Sequence, residues 1–310
     1  MLITALAKLN GIQYSVKGVR NSVDFDYEQQ LHMIGESLDF NGETCILFAN
    51  PTLAHVSSST VKGILLEQGA IEDYVPLNIK QALEQRLLGQ TIVGVTGSIA
   101  SGKSTLCGRL VAMGEQDNVE VHHLDLDKLG HNILADTATP IARTTQAQLI
   151  GALGAQITIQ GTISREKLSA VIFSDIEARQ VLNSIMKEPI QVYLRQALRG
   201  RKGLILVEGA LLAEADTLRS CNNTLIVTST PEHQQMRRLQ ARELSETPAR
   251  QRIQAQWSCH HKTKTINHSI QQNGFGKLWQ IDTQSDRAET ETHLLYHSLV
   301  NLHQHGYTAL

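Results

Sequence analysis

The sequence has only four cysteines in 310 residues, and none of them belongs to a CxxC pair. They show neither a zinc-ligand spacing nor the regular ladder of a disulfide framework, so they favour a reducing compartment; they are Cys45, Cys107, Cys221 and Cys259. The sequence also has no apolar run near the ~18 residues that a membrane helix needs, and its first residues lack the pattern of a signal peptide. We therefore expect a cytoplasmic protein.

An excess of charge of one sign is also missing. Lysine and arginine number 28, aspartate and glutamate number 30, and the formal net charge is −2, which gives no bulk attraction for nucleic acid or for a membrane surface. With 41% hydrophobic and 19% charged residues, the chain has the composition of a globular protein, and its length allows one large domain or two ordinary ones. We expect no nucleic-acid partner and no membrane partner.

The chain from residue 91 onward alternates apolar strands with helical stretches. The first strand, TIVGVT (91–96), is a β-branched run typical of a fully buried parallel strand. Further core strands are predicted at VEVHHLD (119–125), GLILVEG (203–209) and NTLIVTST (223–230). This alternation predicts an α/β domain with a doubly wound parallel sheet over residues 91–310, preceded by a separate segment over residues 1–90. The C-terminal HLLYHSLVNLHQHGY is predicted to be a packing helix.

A glycine-rich loop follows the first of these strands. Gly97, Gly102, Lys103 and Ser104 occupy every fixed position of the phosphate-loop pattern G-x-x-x-x-G-K-[ST]. Glycines let successive backbone N–H groups turn toward one phosphate, and the helix that starts after the loop adds its partial positive charge. We expect Lys103 to reach the β- and γ-phosphates of ATP and Ser104 to be a ligand of Mg²⁺. The predicted nucleotide-binding residues of the loop are Gly97, Ala100, Ser101, Gly102, Lys103, Ser104 and Thr105.

Two aspartates stand where the strand VEVHHLD ends. Asp125 and Asp127 are two residues apart, so in an extended chain they face the same side, which at the carboxyl edge of a parallel sheet overlooks the phosphate loop. One carboxylate can orient the water of a metal ion while the other accepts a proton from an attacking hydroxyl. The alternative is that both are helix-capping acids. The neighbouring His122 and His123 point to opposite faces of a strand, and we expect both to be structural.

A basic stretch follows the last of these strands. The sequence MRRLQARELSETPARQRIQAQWSCHHKTK (236–264) predicts one helical stretch with basic side chains at Arg237, Arg238, Arg242, Arg250, Arg252, Lys262 and Lys264. A run of this kind is usually a solvated helix face. Alternatively, its arginines form a hinged lid that closes over ATP and stabilises charge on the transferred phosphoryl group.

Residues 91 to about 282 resemble dephospho-coenzyme A kinase, and the similar segments run in the order of that family. GVTGSIASGKST resembles its phosphate loop, HLDLDKLGH its aspartate motif, GTISREKLSAVIFSDIEARQVLNSI its Arg-x-x-Leu region and LVEGALLAE its Asp-x-Pro-Leu-Leu-x-Glu segment. The resemblance implies a P-loop NTPase-type sheet with a helical lid. It also implies an enzyme that uses ATP and Mg²⁺ to phosphorylate the ribose 3′-hydroxyl of dephospho-coenzyme A, the last step of coenzyme A synthesis.

The resemblance further implies roles for single residues. Its catalytic residues are Asp127 as the general base, Lys103, and the lid residue Arg242. The implied contacts with the acceptor are Asp125, Arg165 and Leu211, and Asn273 is implied to lie by the adenine. The sequence departs from the family at Glu188, Ala210 and Glu243, where the family usually has His, Pro and Asp.

The first ninety residues resemble the C-terminal half of phosphopantetheine adenylyltransferase, the enzyme that makes dephospho-coenzyme A. The similar segments are VKGVRNSVDFDYEQQLHM (16–33) and HVSSSTVKGILLEQGAIEDYVPLNIKQAL (55–83). The resemblance implies a partial Rossmann-like nucleotidyltransferase segment, with phosphate contacts at Lys17, Gly18 and Arg20 and a serine turn at Ser57–Ser59. The H-x-G-H motif of that family does not precede Lys17. We therefore expect an unpaired sheet edge and no adenylyltransferase activity from this chain alone.

Several alternatives stay open at this point. The first segment belongs to a bifunctional coenzyme A synthase whose gene starts further upstream, to an enzyme completed by another chain such as a phosphopantetheine adenylyltransferase partner, or to a decayed module kept as a scaffold. The second part is a dephospho-coenzyme A kinase, another P-loop kinase of a nucleoside or nucleotide, or a nucleotide-binding partner without catalysis. A panel of phosphoryl acceptors separates these last three.

Overall fold

The structure is a computed structural model that describes residues 3–38, 42–215, 217–241 and 245–306. The chain divides into two compact units, residues 1–62 and residues 63–310. The boundary near residue 90 rests on sequence resemblance and stays a prediction. The structure adds that residues 63–90 pack in the same compact unit as the sheet that follows them.

The first unit contains a two-stranded parallel sheet. Strands β1 and β2 pair in register from Tyr14 opposite Glu43 to Val19 opposite Phe48. In the described part of the chain, each of these strands pairs with the other alone, which agrees with a partial Rossmann-like segment. The elements are α1 (Ile3–Leu9), β1 (Tyr14–Val19), α2 (Ser22–Ser37), β2 (Glu43–Phe48) and α3 (Ser58–Leu66), which runs on into the second unit.

Helix α2 covers one face of this small sheet. Lys17 of β1 forms an ion pair of 2.8 Å with Glu28, and the Nδ1 atom of His32 lies 3.0 Å from the hydroxyl of Thr44 in β2. The opposite face is bare, because its apolar side chains are 61–65% exposed at Tyr14, Val16 and Leu47. One face of the sheet is therefore covered by α2, while the apolar side chains on the other face are exposed to solvent.

The second unit is built on a five-stranded sheet in which all strands are parallel and the spatial order is β4-β7-β3-β8-β9. The central strand β3 is buried along all eight residues, as expected for a parallel sheet with helices on both faces. The strands are β3 (Gln90–Gly97), β4 (Val121–Asp125), the short hairpin pair β5 (Thr158–Ile159) and β6 (Thr162–Ile163) outside the main sheet, β7 (Gly203–Glu208), β8 (Thr224–Ser229) and β9 (Lys277–Asp282).

Helices cover both faces of this sheet, so the predicted doubly wound α/β fold is confirmed. Val93 and Leu206 pack with Leu110 and Leu299 on one face, and Ile205 packs with Leu198 on the other. The helices are α4 (Leu77–Leu83), α5 (Lys103–Asp117), α6 (Leu126–Ala135), α7 (Pro140–Leu153), α8 (Arg165–Ser174), α9 (Ile176–Leu198), α10 (Glu232–Gln240), α11 (Glu246–Gln254), α12 (Cys259–Asn273) and α13 (Ala288–His305). Among the described helices, none combines the length and apolar character needed to cross a membrane.

Residues 63–90 are joined to the amino edge of the five-stranded sheet by a buried polar network. The ammonium of Lys80 lies 2.7 Å from Oε1 of Glu84 and donates to Oδ1 of Asn222 at 3.0 Å. The amide of Asn222 in turn donates to Oε2 of Glu84 at 2.6 Å. Gln90, at the start of β3, donates to the carbonyl of Leu198 at 2.9 Å. The segment before the first strand is thus part of the fold of the second unit.

Candidate active site

The phosphate loop lies between the carboxyl end of β3 and the first turn of α5. Gly97 has a φ of 149° and a side chain there would lie 2.4 Å from the carbonyl of Thr228, so this position requires glycine. Gly102 also has a positive φ, 91°, and the helix begins directly after it at Lys103. The loop therefore has the backbone shape of an anion cradle at a helix N-terminus.

Lys103 is buried under this loop, and its ammonium donates to the carbonyls of Gly97 at 3.2 Å and Ser98 at 3.0 Å. Burial lowers the pKa of Lys103 from its ordinary value, while the carboxylates of Glu208 and Asp127 act in the opposite direction. The lysine thus faces two acidic side chains at the carboxyl edge of the sheet, in line with the sequence expectation.

Of the other predicted loop residues, Ser101 is hydrogen-bonded to neighbouring segments and Thr105 lines a groove. The hydroxyl of Ser101 lies 2.6 Å from that of Thr228, and its carbonyl accepts a hydrogen bond from Thr283 at 2.9 Å. Ala100 adopts a left-handed conformation with a φ of 57°. Thr105 lines a groove beside the loop, together with Gly102, Arg109, Arg238, Thr283 and Gln284.

Ser104, the predicted Mg²⁺ ligand, donates to Oε1 of Glu208 at 2.8 Å. The second carboxylate oxygen of Glu208 lies 2.8 Å from Nε2 of His123. Burial acts to raise the pKa of Glu208, but hydrogen bonds from His123 and Ser104 and the charge of Lys103 outweigh it, and the pKa lies below its ordinary value. Glu208 is therefore held as a carboxylate beside the loop.

Glu208 belongs to the segment LVEGALLAE, for which the resemblance implies no role at this position, and strand spacing predicts a structural role for His123. The signal for Glu208 is an acid directly after the apolar run LILV, on the strand next to β3. No comparable local signal exists for His123. Its partner lies 85 residues away, and only the pairing of β4 with β7 brings the two together.

The two aspartates have different environments. Asp125 is the N-cap of α6, and its Oδ1 accepts hydrogen bonds from the backbone N–H groups of Asp127 at 3.0 Å and Lys128 at 3.1 Å. The side chain of Asp127 reaches solvent, but surrounding protein atoms remove part of its hydration. Limited hydration there raises the pKa of Asp127, although Lys103 opposes the shift. The capping alternative thus describes Asp125, whereas the carboxyl group of Asp127 has no side-chain hydrogen bond or ion pair among the described residues and feels the charge of Lys103.

Arg165 lies close to the same helix. Its Nη2 is 2.9 Å from Nε2 of His131, and His131 is one helical turn after Asp127 on α6. Burial and the charge of Arg165 lower the pKa of His131, and Asp127 opposes them. Leu211 is half-buried in the turn after β7. Arg165 and Asp125 thus both lie beside or on α6, and Leu211 follows the carboxyl end of β7; their roles in acceptor binding stay predictions.

The basic stretch forms three helices rather than one. Arg238 of α10 donates to the carbonyl of Ala100 at 2.7 Å, and Gln256 after α11 accepts from the backbone N–H of Ile99 at 2.7 Å. Arg252 of α11 lies 5.1 Å from the centre of the Phe173 ring. These helices therefore contact the phosphate loop and α8. Arg242, the predicted lid arginine, lies outside the described residues.

Two further observations concern α12. Its Lys262 is completely buried, donates to the carbonyl of Ala210 at 2.6 Å and forms an ion pair with Glu214. These contacts hold α12 against the turn that contains Leu211. Asn273 ends the helix, donates to the carbonyl of Ser269 at 2.8 Å and precedes β9. Because β9 runs parallel to β3, Asn273 lies at the amino edge, roughly 20 Å of strand away from the phosphate loop. Its implied contact with adenine has no support in this geometry.

A parallel sheet with this strand order, a phosphate loop on its central strand and an acid on the adjacent strand defines the class of P-loop nucleotide-binding proteins. Residues 91–276 match the family model of dephospho-CoA kinase, and the chain belongs to that family. It is thus an ATP-using kinase of coenzyme A biosynthesis.

Relatives fall into two groups. The chain is 32% identical over 189 residues to a dephospho-CoA kinase domain-containing protein of Danio rerio, a match that covers 59% of this chain and 78% of that protein. It is 36% identical over 85 residues to the phosphopantetheine adenylyltransferase of Limosilactobacillus reuteri, covering 27% of this chain. The chain spans 49% of the length of that adenylyltransferase.

A solved structure supports the fold. TT1252 from Thermus thermophilus superimposes with a TM-score of 0.51 at 24% identity, over 66% of this chain and 95% of that one. The fold of the kinase region is therefore seen in an independently determined structure.

Proposed function

We propose that the protein transfers the terminal phosphoryl group of ATP to the ribose 3′-hydroxyl of dephospho-coenzyme A and so releases coenzyme A and ADP. One observation carries this proposal: Lys103, the Ser104–Glu208 pair and Asp127 lie at one edge of one sheet, within electrostatic reach of one another. Phosphoryl transfer depends on positioning and on neutralising charge, and these residues supply both.

The loop and Lys103 act on the phosphates. The turn at Gly97 and the first turn of α5 aim backbone N–H groups at the phosphate chain, and the ammonium of Lys103 stabilises the negative charge that develops on the transferred group. The donor set beside the loop, a serine hydroxyl and an ionised carboxylate, suits a hard cation such as Mg²⁺. When bound, Mg²⁺ would neutralise phosphate charge, with Ser104 and Glu208 as the residues that hold it.

Asp127 acts on the acceptor. Its carboxylate accepts the proton of the attacking 3′-hydroxyl, and its raised pKa makes it a stronger base than an ordinary aspartate. Asp125 fixes the start of the helix that carries Asp127. We assign Arg165 and Leu211 to acceptor binding and place the adenine in the groove lined by Thr105, Arg109, Thr283 and Gln284. Arg238, which contacts the phosphate loop, adds positive charge beside the phosphates, and the family resemblance implies a catalytic role for Arg242 as well.

The test is release of ADP by the purified full chain with dephospho-coenzyme A, compared with adenosine, nucleoside monophosphates and water as acceptors. We expect release with dephospho-coenzyme A and identify the product as coenzyme A by mass. Turnover with a nucleoside or nucleotide alone would support the other kinase alternative. Binding of ATP without acceptor-dependent release would instead indicate a non-catalytic nucleotide-binding partner.

For residues 1–90 we propose an adenylyltransferase-like segment that is completed by the other half of that fold on a partner phosphopantetheine adenylyltransferase. The bare apolar face of β1 and β2 favours this alternative over a decayed scaffold, because a parallel sheet is normally covered on both faces. The partner would supply the substrate of the kinase region at raised local concentration. We place both activities in the cytoplasm, where the cysteines stay reduced.

The test mixes phosphopantetheine, ATP and the chain, with and without an added adenylyltransferase, and measures dephospho-coenzyme A and co-elution of the two proteins. We expect no product from the chain alone and a complex with the partner. Product from the chain alone would contradict the proposal. So would the absence of any complex.

A further inference from the structure

Three side chains with metal-binding atoms meet behind the phosphate loop. Cys107 lies on the buried side of α5, His123 on β4 and Glu208 at the end of β7, and one ligand atom from each lies within 4.8 Å of the other two. Cys107 is fully buried, and the side chain of His123 is 21% exposed. A small ion could therefore reach the cluster along the imidazole.

The chemistry of the three donors differs from that of the Mg²⁺ site. A thiolate, an imidazole and a carboxylate together suit a borderline-soft ion such as Zn²⁺, whereas Mg²⁺ prefers oxygen ligands alone. Around tetrahedral Zn²⁺ the ligand atoms are about 3.3–3.8 Å apart, given its usual bond lengths. Small side-chain rotations convert the observed cluster into such a site, with water in the fourth position.

The proposed phosphoryl transfer uses only one of these three residues. Glu208 holds Ser104 through one oxygen and contacts His123 through the other. Cys107 has no part in that reaction, and His123 acts in it only by contacting Glu208. A cluster that adds a thiol and an imidazole to the carboxylate has a donor set that the kinase reaction does not require.

We propose that Cys107, His123 and Glu208 form a second metal site, selective for Zn²⁺ over Mg²⁺, whose occupation inhibits the kinase. On binding, the Sγ–H bond of Cys107 is replaced by an Sγ–Zn bond and the proton passes to solvent. The Nε2 proton of His123, which is hydrogen-bonded to Glu208, passes to Nδ1, so that His123 binds through the lone pair of Nε2, and Glu208 binds through its carboxylate. No electron transfer is involved. The inhibitory part rests on the proposed function, since Zn²⁺ would draw Glu208 away from Ser104 and the phosphates; the binding site itself does not.

The experiment titrates the metal-free full chain with Zn²⁺ by calorimetry in the presence of excess Mg²⁺, and with Co²⁺ by absorption spectroscopy. Cys107→Ser and His123→Ala remove one ligand each. Cys221→Ser is the matched control for the first, since Cys221 is another fully buried cysteine. His122→Ala is the control for the second, since His122 precedes His123 on the same strand and faces the other way.

We expect one Zn²⁺ per chain and a sulfur-to-cobalt charge-transfer band. Cys107→Ser should abolish that band, and each ligand variant should weaken Zn²⁺ binding by at least about tenfold, with both controls like the parent. The proposal would be overturned if the parent and both ligand variants bound Zn²⁺ equally well. It would also be overturned if the parent did not bind Zn²⁺ in the presence of excess Mg²⁺. Thermal unfolding checks each variant, and Cys107→Ala replaces Cys107→Ser if the latter does not fold.

Turnover is then measured with and without Zn²⁺. We expect Zn²⁺ to inhibit the parent and a chelator to restore it. Stoichiometric Zn²⁺ binding in a chain that does not phosphorylate dephospho-coenzyme A would leave the metal site standing and refute the proposed function. Kinase turnover in a chain that does not bind Zn²⁺ would do the reverse.

Discussion

The chain contains two parallel sheets, and they differ in how completely they are covered. In the five-stranded sheet every residue of β3 is buried, and apolar residues of β7 pack against helices on both faces. In the two-stranded sheet β1 alternates between exposed and half-buried positions up to Val19, since α2 covers one face alone. Parallel strands are stable when both faces are covered, and a sheet of only two strands is marginal by itself.

This difference shows which of the two sheets can hold catalytic side chains in fixed positions before a substrate binds. At the carboxyl edge of the covered sheet, Lys103, Ser104 and Glu208 are fixed by buried hydrogen bonds. On the half-covered sheet, the residues that resemble phosphate contacts are held mainly by local ion pairs, as at Arg20 with Asp24. We therefore assign the activity of this chain to the covered sheet, and each of the following variants tests that assignment.

The largest effect is expected from Lys103→Ala. Removing the buried ammonium leaves the developing phosphate charge without its main cation, so turnover should fall by at least about 10³-fold. The measurement is coupled ADP release. The control is Lys202→Ala, an exposed lysine next to the amino end of β7, which should leave turnover unchanged. Equal losses in both variants would mean that the carboxyl edge has no special role.

Asp127→Asn should lower turnover by roughly 10²–10⁴-fold and leave ATP binding intact, because the amide cannot accept the hydroxyl proton. In the parent, the base is active when deprotonated. Loss of hydration among the surrounding protein atoms raises its pKa, so turnover should fall as the pH is lowered through a value above the ordinary ~4 of an aspartate. Rates measured against pH check both points. An unchanged rate in the variant would remove Asp127 as the base.

Lys80→Met tests whether residues 63–90 belong to the same folded unit as the five-stranded sheet. Breaking a buried ion pair leaves the carboxylate of Glu84 without its partner, and the free energy of unfolding should fall by about 3–5 kcal/mol. Both tryptophans, Trp257 and Trp279, lie in residues 63–310, so their fluorescence during urea unfolding reports on that unit.

The control for Lys80→Met is Arg199→Ala, which removes an exposed pair with Glu67 and should cost less than about 1 kcal/mol. A loss in Lys80→Met no larger than in this control would place the start of the unit near residue 90 instead.

The smallest effect is expected from Leu47→Ala, which is compared with Leu206→Ala in the covered sheet. Leu206→Ala, in the fully buried β7, should destabilise by about 2–5 kcal/mol. Leu47→Ala, in β2, changes a side chain that is 61% exposed, and it should stay within about 0.5 kcal/mol. Hydrogen exchange of the amides in each sheet measures both. A large effect at Leu47 would show that the bare face is covered in the free chain.

Sequence reasoning predicted the parts that depend on local patterns. The phosphate loop is a contiguous motif, and β3, β7 and β8 are apolar runs whose ends lie within two residues of the predicted ones. Spacing alone placed Asp125 and Asp127 at the carboxyl edge. It could not separate their environments, since these depend on whether the helix starts at Leu126 or later.

The parts that escaped prediction depend on long-range packing. Cys107, His123 and Glu208 come from three different elements of the fold. No local spacing of ligand residues in the sequence therefore predicts that they form a cluster. The adenine contact of Asn273, which the resemblance implies, stays a prediction, and strand direction does not support it, because a residue before β9 lies at the edge opposite the loop. The network of Lys80, Glu84 and Asn222 joins positions that are 138 to 142 residues apart.

Strand β9 and helix α13 have a practical consequence. The family match stops at residue 276, yet β9 pairs with β8 after that point, and Leu295 and Leu299 of α13 lie in the main core. A gene fragment trimmed to the matched span would leave an open strand edge and an uncovered sheet face, and it should precipitate on expression. A fragment for crystallisation should instead include the whole of α3 and run from Ser58 to at least Gly306.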